Sequence, residues 1–358
     1  MQLITLTESH RKSWDKFVID SPNSTKYHLS GWKNILEKTY GIKPFYLMVV
    51  RDDEILGILP LFLVKGFPFT SHLISLPYLS YTGICSNEPE VERELMLEAG
   101  RLMERLNARY VELHNIYKLN FSTDELNSST DLKSLYTLAT VEDKVTMILP
   151  LESDPELMWK SFKAKVRNQV RKAVKSGLKV TIGGVEFLDE FYSVFTRNMR
   201  DLGSPVHSKS FFENIFEVFP DDSRIFIVHT DSEPVGGAIL ISFRDTAEVP
   251  WASSKREYFQ YCPNNLLYWE IIKYCCERGF KTFDFGRSTK GSGTYRFKKQ
   301  WGAQEKQLYW QYYLPEGSKL PDVTHTGLKS RIMVGLWKRM PLRLANLLGP
   351  KIRGRISA

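Results

Sequence analysis

The chain has 358 residues, 42% hydrophobic and 13% aromatic, with a formal net charge of +8. That length allows about two domains, and the apolar fraction excludes a disordered chain. The longest apolar run, around Ile55–Val64, is far below the ~20 residues of a membrane helix, so no span is expected. The N-terminal MQLITLTESHRKSWDKF lacks a basic region followed by an apolar core, so no secretory signal is expected and the chain reads as cytoplasmic. Cys85, Cys262, Cys275 and Cys276 have no CxxC spacing. Neither a zinc site nor a redox pair is implied, and a reducing compartment fits.

In chain order, LITL is a strand, followed by helices around Ser13–Ile19 and from Ser30 to Tyr40. Phe45–Arg51 and Ile55–Val64 form a hairpin across the acidic turn Asp52-Asp53-Glu54. Residues 67–87 are rich in aromatic and small residues without a period, which reads as a loop. Glu88–Asn107 is a helix, Tyr110–His114 a strand, 118–132 a polar loop, and Leu135–Thr140 and Lys144–Leu151 strands. Asp154 caps a helix with Pro155 at its first position, and that helix runs to Gly177. Trp159, Phe162, Val166, Val170 and Val174 form its apolar stripe. Lys163, Arg167, Arg171 and Lys175 recur every four residues on another face. Like charges at that spacing repel, so they mark either an anionic partner at Arg167 and Arg171 or a solvated face.

Leu178–Ile182 is a strand, Glu186–Leu202 and Ser210–Phe219 are helices, and Arg224–His229, Val235–Phe243 and Thr246–Trp251 form an antiparallel meander. Pro263 opens a helix that Gly279 closes. Thr282–Phe285 is a short strand. A glycine-rich basic turn follows, with Gly286, Gly291, Gly293 and Gly302 among Arg287, Lys290, Arg296, Lys298 and Lys299. Such a turn suits close approach to an anionic ligand, and a solvated loop has the same composition. Gln307–Leu314 closes the second sheet. The second half repeats the element order of the first, so two like-built domains are expected. The last 36 residues carry eight Lys or Arg and no acid. Ile332, Met333, Leu336, Trp337, Met340, Leu344, Leu347 and Leu348 fall at helical spacing there, with Pro341 as a break. That tail reads as a helix packed on the first domain or as an interfacial helix on anionic lipid.

There is no GxSxG and no GxxxxGK[ST], and the seven histidines fall in no HExxH pattern, so no catalytic metal is expected. His114 and His229 read as structural. The glycine loop that would hold a coenzyme-A pyrophosphate is missing before Pro263, where KREYFQYC stands. Asp284, beside Gly286-Arg287, is either a proton acceptor or an anchor for Arg287, the anchor being favoured. Arg287, Tyr295 and Arg296 are candidate ligands of an anionic substrate. Trp251, Asn264, Asn265 and Tyr268 are candidates to line an acyl channel at the helix start.

CPNNLLYWE at 262–270, ERGFKTFDFGRS at 277–288, GTYRFKKQWGA at 293–303 and RNQVRKA at 167–173 carry a resemblance. The chain resembles the FemAB-like transferases of the GNAT acyltransferase superfamily, more narrowly those found beside exopolysaccharide and PEP-CTERM systems. The resemblance implies an α/β fold of the α+β type. Two tandem GNAT-like domains are implied, each a mixed, largely antiparallel sheet flanked by helices. Residues 1–150 would form the acceptor side and 151–315 the donor side, with the basic tail 316–358 packing back on the first domain. It places Phe297-Lys298 at the transfer site, with Lys298 steadying developing charge or a phosphate. It also places PYLSYTG, with Tyr78, Tyr81 and Gly83, by the acceptor, although an ordinary loop burying its aromatics reads the same way. No tightly bound cofactor is implied. The donor is acyl-CoA or aminoacyl-tRNA, and tRNA would then be a partner. The expected function is transfer onto an amine or hydroxyl of an anionic envelope or polysaccharide precursor, at or near the inner membrane face. The other reading is a non-catalytic protein of this fold that binds nucleic acid or anionic membrane through its basic helix and tail.

Overall fold

The computed structural model describes residues 1–66, 70–127, 135–321 and 328–356. The expected loops therefore fall partly outside the described residues, at 67–69 and 128–132, as does the start of the tail. The described residues divide into two compact units. One takes those of 1–144, 307–324 and 354–358, the other those of 145–306 and 325–353.

The first unit opens with β1 (Gln2–Thr5), α1 (Arg11–Asp20) and α2 (Gly31–Tyr40). β2 (Lys43–Arg51) and β3 (Glu54–Gly66) follow as an antiparallel pair closing at Arg51–Glu54. Asp52 and Asp53 between them have φ of 49° and 65°, the left-handed pair of a two-residue hairpin whose twist matches its strands. Then come β4 (Thr70–Ile74), β5 (Cys85–Ser86), α3 (Pro89–Arg105), β6 (Val111–Asn115), the short α4 (Thr123–Leu126) and β7 (Tyr136–Val141). α3 buries Val91, Leu95, Met96, Ala99, Leu102 and Met103 against this sheet.

The second unit holds β8 (Lys144–Pro150), α5 (Pro155–Ser161), α6 (Ala164–Lys175), β9 (Lys179–Gly183), α7 (Leu188–Leu202) and α8 (Lys209–Val218). β10 (Ser223–His229), β11 (Pro234–Phe243) and β12 (Thr246–Ser254) form the meander. α9 (Pro263–Glu277), β13 (Thr282–Thr289), α10 (Gly293–Lys299) and β14 (Gln304–Gln307) complete its sheet region. β15 is Tyr309–Pro315, and α11 (Leu328–Arg339) and α12 (Leu342–Arg353) end the chain. The strand orders are β1-β2-β3-β4-β6-β15-β7, with β5 on β3, and β14-β8-β13-β12-β11-β10-β9. Both sheets are mixed and mostly antiparallel. Each has a helical crossover between parallel strands, α3 between β4 and β6 and α9 between β12 and β13. This is the tandem α/β fold expected from the sequence.

Four expectations are corrected. β8 joins the second sheet rather than ending a domain at residue 150, because Val145, Met147 and Leu149 bury in the second core. β15 pairs with β6 and β7 of the first sheet instead of closing the second. Tyr313 enters the first core, and Gln311 bonds Asn115 at 3.0 Å and the Leu119 backbone at 3.0 and 2.9 Å. The single helix expected from Pro155 to Gly177 is broken at Phe162 and Lys163, which are extended. Phe162 is driven inward edge-on to Trp301, 5.0 Å between centroids, and Val174 is left exposed. The tail packs on α7 of the second unit rather than on the first.

That last contact depends on a glycine. Gly203 caps α7 with φ +81°, and a Cβ there would lie 2.6 Å from Val334 Cγ1 and 3.0 Å from the Val334 carbonyl. Gly203→Val is expected to cost about 2 kcal/mol or more, since both the left-handed backbone and the close approach resist a branched side chain. Limited proteolysis should then cut within 328–353 before the rest of the chain. Unchanged protection would show that this seat does not hold the hairpin.

Candidate functional site

The second crossover opens where the first is closed. β12 and β13 pair only at Thr246–Thr282, Ala247–Phe283 and Glu248–Asp284, yet β12 runs on to Ser254 and β13 to Thr289. Beyond Glu248 and Asp284 each strand turns toward the gap backbone groups that the other does not satisfy, a place for a ligand to be gripped. In the first unit the corresponding position is filled by the chain itself. Ser75 N–H donates to the Glu112 carbonyl at 2.9 Å, and Thr82 N–H to that of His114 at 2.7 Å.

Gly286 shapes the parting of the strands. Its φ is +76°, and a Cβ there would sit 3.2 Å from the Val249 carbonyl, so glycine alone permits this approach. Asp284, with no exposed surface, accepts hydrogen bonds from the Gly286 N–H at 2.7 Å and from the Thr146 hydroxyl. Its carboxylate thus ties the turn to β8. Phe283 and Phe285 face the α9 core, so the strand alternation puts Asp284 on the other face, beside Glu248.

The glycine-rich basic stretch is not one turn. β13 extends to Thr289, and Gly293–Lys299 is helical, capped by the Ser292 hydroxyl accepting from Tyr295 N–H at 3.2 Å. That helix turns Lys298 inward, 7% exposed. Its Nζ donates to the carbonyls of Gly286 at 2.8 Å and Arg287 at 3.0 Å, which leaves the third N–H of an ammonium to be satisfied. Burial lowers the Lys298 pKa to about 8. Asp284 and Glu248 oppose that fall, and the Arg287 guanidinium adds to it. The ammonium remains the main form at neutral pH. Phe297 flanks it, 5.3 Å from Tyr268, whose ring stacks on Phe285 at 5.2 Å. Together they make an apolar wall beside the charge. Burial raises the Tyr268 phenol pKa, keeping it neutral.

Asp284, Arg287, Phe297, Lys298 and Tyr268 therefore come together. Asn264 and Asn265 sit in the first turn of α9, Asn264 accepting from the Ser254 hydroxyl at 2.6 Å and Asn265 donating to Gln169 of α6 at 3.3 Å. Arg167 lies half-buried on α6, its Nε buried without a hydrogen-bond partner. Arg171 is exposed over the Trp159 ring at 5.5 Å. Tyr295 is turned away, its hydroxyl on Glu305 with Lys299 at 3.2 Å, and Arg296 donates to the Gly291 carbonyl at 3.1 Å. Trp251 is a correction. A bulge opposite Ile239–Ile241 shifts the alternation, so it faces α8, edge-on to Phe211 and Phe212 at 5.6 and 5.3 Å, rather than the start of α9. Tyr78 and Tyr81 belong to the first unit, against Tyr40 at 5.1 Å and Tyr27 at 5.6 Å. In the same loop Gly83 leaves no room for a Cβ beside the Asn115 side chain.

Glu248 was missed from the sequence. It is fully buried and faces Gly286, its Oε1 3.5 Å from where a Cβ would lie. The signal was an acid inside the apolar strand Ala247–Trp251.

A mixed sheet whose parallel strands part after three pairs fits the class of GNAT-type acyltransferases. A model of the acetyltransferase (GNAT) domain matches residues 160–299. The lipid II:glycine glycyltransferase of Staphylococcus haemolyticus is 21% identical over 371 residues, covering 80% of this chain and 87% of the relative. That of Staphylococcus saprophyticus is 22% identical over 382 residues, covering 84% and 90%. Among solved structures, FemX aligns with a TM-score of 0.66 at 19% identity, over 88% of this chain and 97% of FemX. A tandem GNAT protein from the clavulanic acid biosynthesis pathway aligns at 0.57 and 11% identity, over 89% and 99%. These matches support the resemblance to the FemAB-like transferases of the GNAT superfamily.

Proposed function

We propose that this enzyme transfers an aminoacyl group from charged tRNA to an amine of a lipid-linked cell-wall precursor. The observation that carries this reading is Lys298, a buried ammonium held by two carbonyls where β12 and β13 part. In the reaction the acceptor nitrogen attacks the ester carbonyl carbon. A C–N bond forms, the ester C–O bond to the tRNA ribose breaks, and the ribose oxygen takes up the proton that the amine gives away. The oxygen of the tetrahedral intermediate becomes negative, and on this reading the remaining N–H of Lys298 steadies it.

Support for the acceptor is the naming of the relatives, which cover four-fifths of this chain as lipid II:glycine glycyltransferases. Support for tRNA as donor is local. No glycine loop precedes α9, and the Lys255 and Tyr258 side chains are both engaged by Glu233, which speaks against a pyrophosphate as the group bound there. The cations of α6, Arg167 and Arg171 with Lys163 and Lys175, suit a nucleic-acid backbone. Tyr78, Tyr81 and Gly83 are proposed on the acceptor side.

The test supplies purified protein and lipid II with charged tRNA or with acetyl-CoA. Transfer from charged tRNA alone is expected, weakening as salt rises. Transfer from acetyl-CoA alone would overturn the donor assignment. Modification of a water-soluble sugar amine in preference to lipid II would overturn the acceptor.

A further inference from the structure

We propose that the C-terminal helices α11 and α12 lay their outer face on an anionic phospholipid surface. This goes beyond the transfer reaction and needs none of its chemistry.

The inner side of this hairpin is fixed. Val334 sits against Gly203, Gly349 against Val206, and Arg200 donates to the Met340 carbonyl at 3.1 Å. With that side against the second unit, six large apolar side chains are turned to water. On α11 they are Ile332, Met333 and Leu336, and on α12 Leu344, Leu347 and Leu348, with Met333 at 68%, Leu336 at 63% and Leu347 at 62% exposure. Their spacing puts each set on one stripe of its helix. Arg331, Lys338, Arg339, Arg343 and Lys351 are exposed beside the stripes. None of these forms an ion pair with a described residue, and 328–356 contains no acid.

Two properties must be met by one partner. Polyanions satisfy the cations but offer nothing to exposed leucine and methionine. An apolar protein groove satisfies the leucines but not an unbroken run of positive charge. A bilayer carrying anionic headgroups satisfies both, with cations at the phosphates and apolar side chains below them. Each helix has 12 residues, short of the ~20 needed to span, so the pair lies in the surface plane.

The full chain would be sedimented with phosphatidylcholine vesicles containing phosphatidylglycerol and with phosphatidylcholine alone. Binding to the anionic vesicles is expected to be about tenfold or more tighter and to weaken with salt. The combined variant Met333→Ser, Leu336→Ser, Leu347→Ser should lose about tenfold or more in partitioning, as should Arg331→Gln, Lys338→Gln, Arg343→Gln. Both alter exposed side chains, so their thermal midpoints should match the parent chain. Lys298→Met should bind vesicles as the parent does, which separates this surface from the transfer site. Three results would overturn the proposal. The parent chain could fail to sediment, the apolar variant could bind like the parent, or the variants could lose RNA binding or self-association instead of vesicle binding.

Discussion

Lys298→Met is expected to lower kcat/KM for transfer by about 10²–10³, the loss typical of removing one donor to a developing oxyanion, while making the protein slightly more stable at pH 7. The stability half follows from burial. The folded-state pKa is about 8, below the ordinary 10.5. Between those values the unfolded chain binds the proton and the folded chain does not, so stability rises with pH across that window. Below pH 8 the folded protein holds a desolvated charge, at a cost of roughly 3 kcal/mol. Leaving the Gly286 and Arg287 carbonyls without a donor takes back about 1 kcal/mol each. A net gain of about 1 kcal/mol at pH 7, gone by about pH 9 and turned into a net loss by about pH 10, is the expected result of paired denaturation curves. The activity half has its own pH signature. If the ammonium is the working form, kcat/KM of the parent enzyme falls as pH rises through about 8. A rate that keeps climbing past pH 9 would mean that Lys298 does not act as a cation.

Asp284 carries the second large effect. Asp284→Ala should destabilise the protein by about 3–5 kcal/mol. It strands a buried N–H and the Thr146 hydroxyl, and it removes the larger of the two charges that hold up the Lys298 pKa. Asp284→Asn keeps an acceptor for the Gly286 N–H. If Asp284 is an anchor, of the turn at Gly286 as its bonds to the Gly286 N–H and the Thr146 hydroxyl suggest rather than of Arg287 as expected from the sequence, this variant keeps transfer within about tenfold, and its falling limb moves to lower pH because the lysine loses an opposite charge. A loss of about 10³ or more with a normal melting curve would instead make Asp284 the proton acceptor. Glu248→Gln should move the limb the same way by less, since Glu248 supports the lysine less than Asp284 does.

Local rules carried the reading where neighbours in sequence decide the outcome. The hairpin at Asp52-Asp53, the Pro263 start and Gly279 end of α9, and the apolar periods of α3 and α9 are all satisfied within a few residues. Where a period crossed a tertiary anchor it misled. Phe162 fits a continuous helical stripe, but its burial against Trp269 and Trp301 breaks the helix there. Trp251 shares the parity of Ala247 and Val249, and one bulge residue turns it to the other face.

The sequence by itself determined the tandem α/β fold and the resemblance to FemAB-like transferases, and it singled out Phe297-Lys298 as a candidate, because turn chemistry, helical period and motif are written in consecutive residues. Only the tertiary structure decided which sheet β8 and β15 join, that the tail seats on α7, and that Glu248 belongs with Asp284 and Lys298. Strand partners are chosen by burial and hydrogen bonds between residues far apart in the chain. A strand such as Tyr309–Pro315 fits either sheet by pattern until Gln311 meets Asn115 and Tyr313 meets the first core. The charge on a lysine is likewise set by what surrounds it in space, here two carboxylates and two carbonyls brought from 248, 284, 286 and 287.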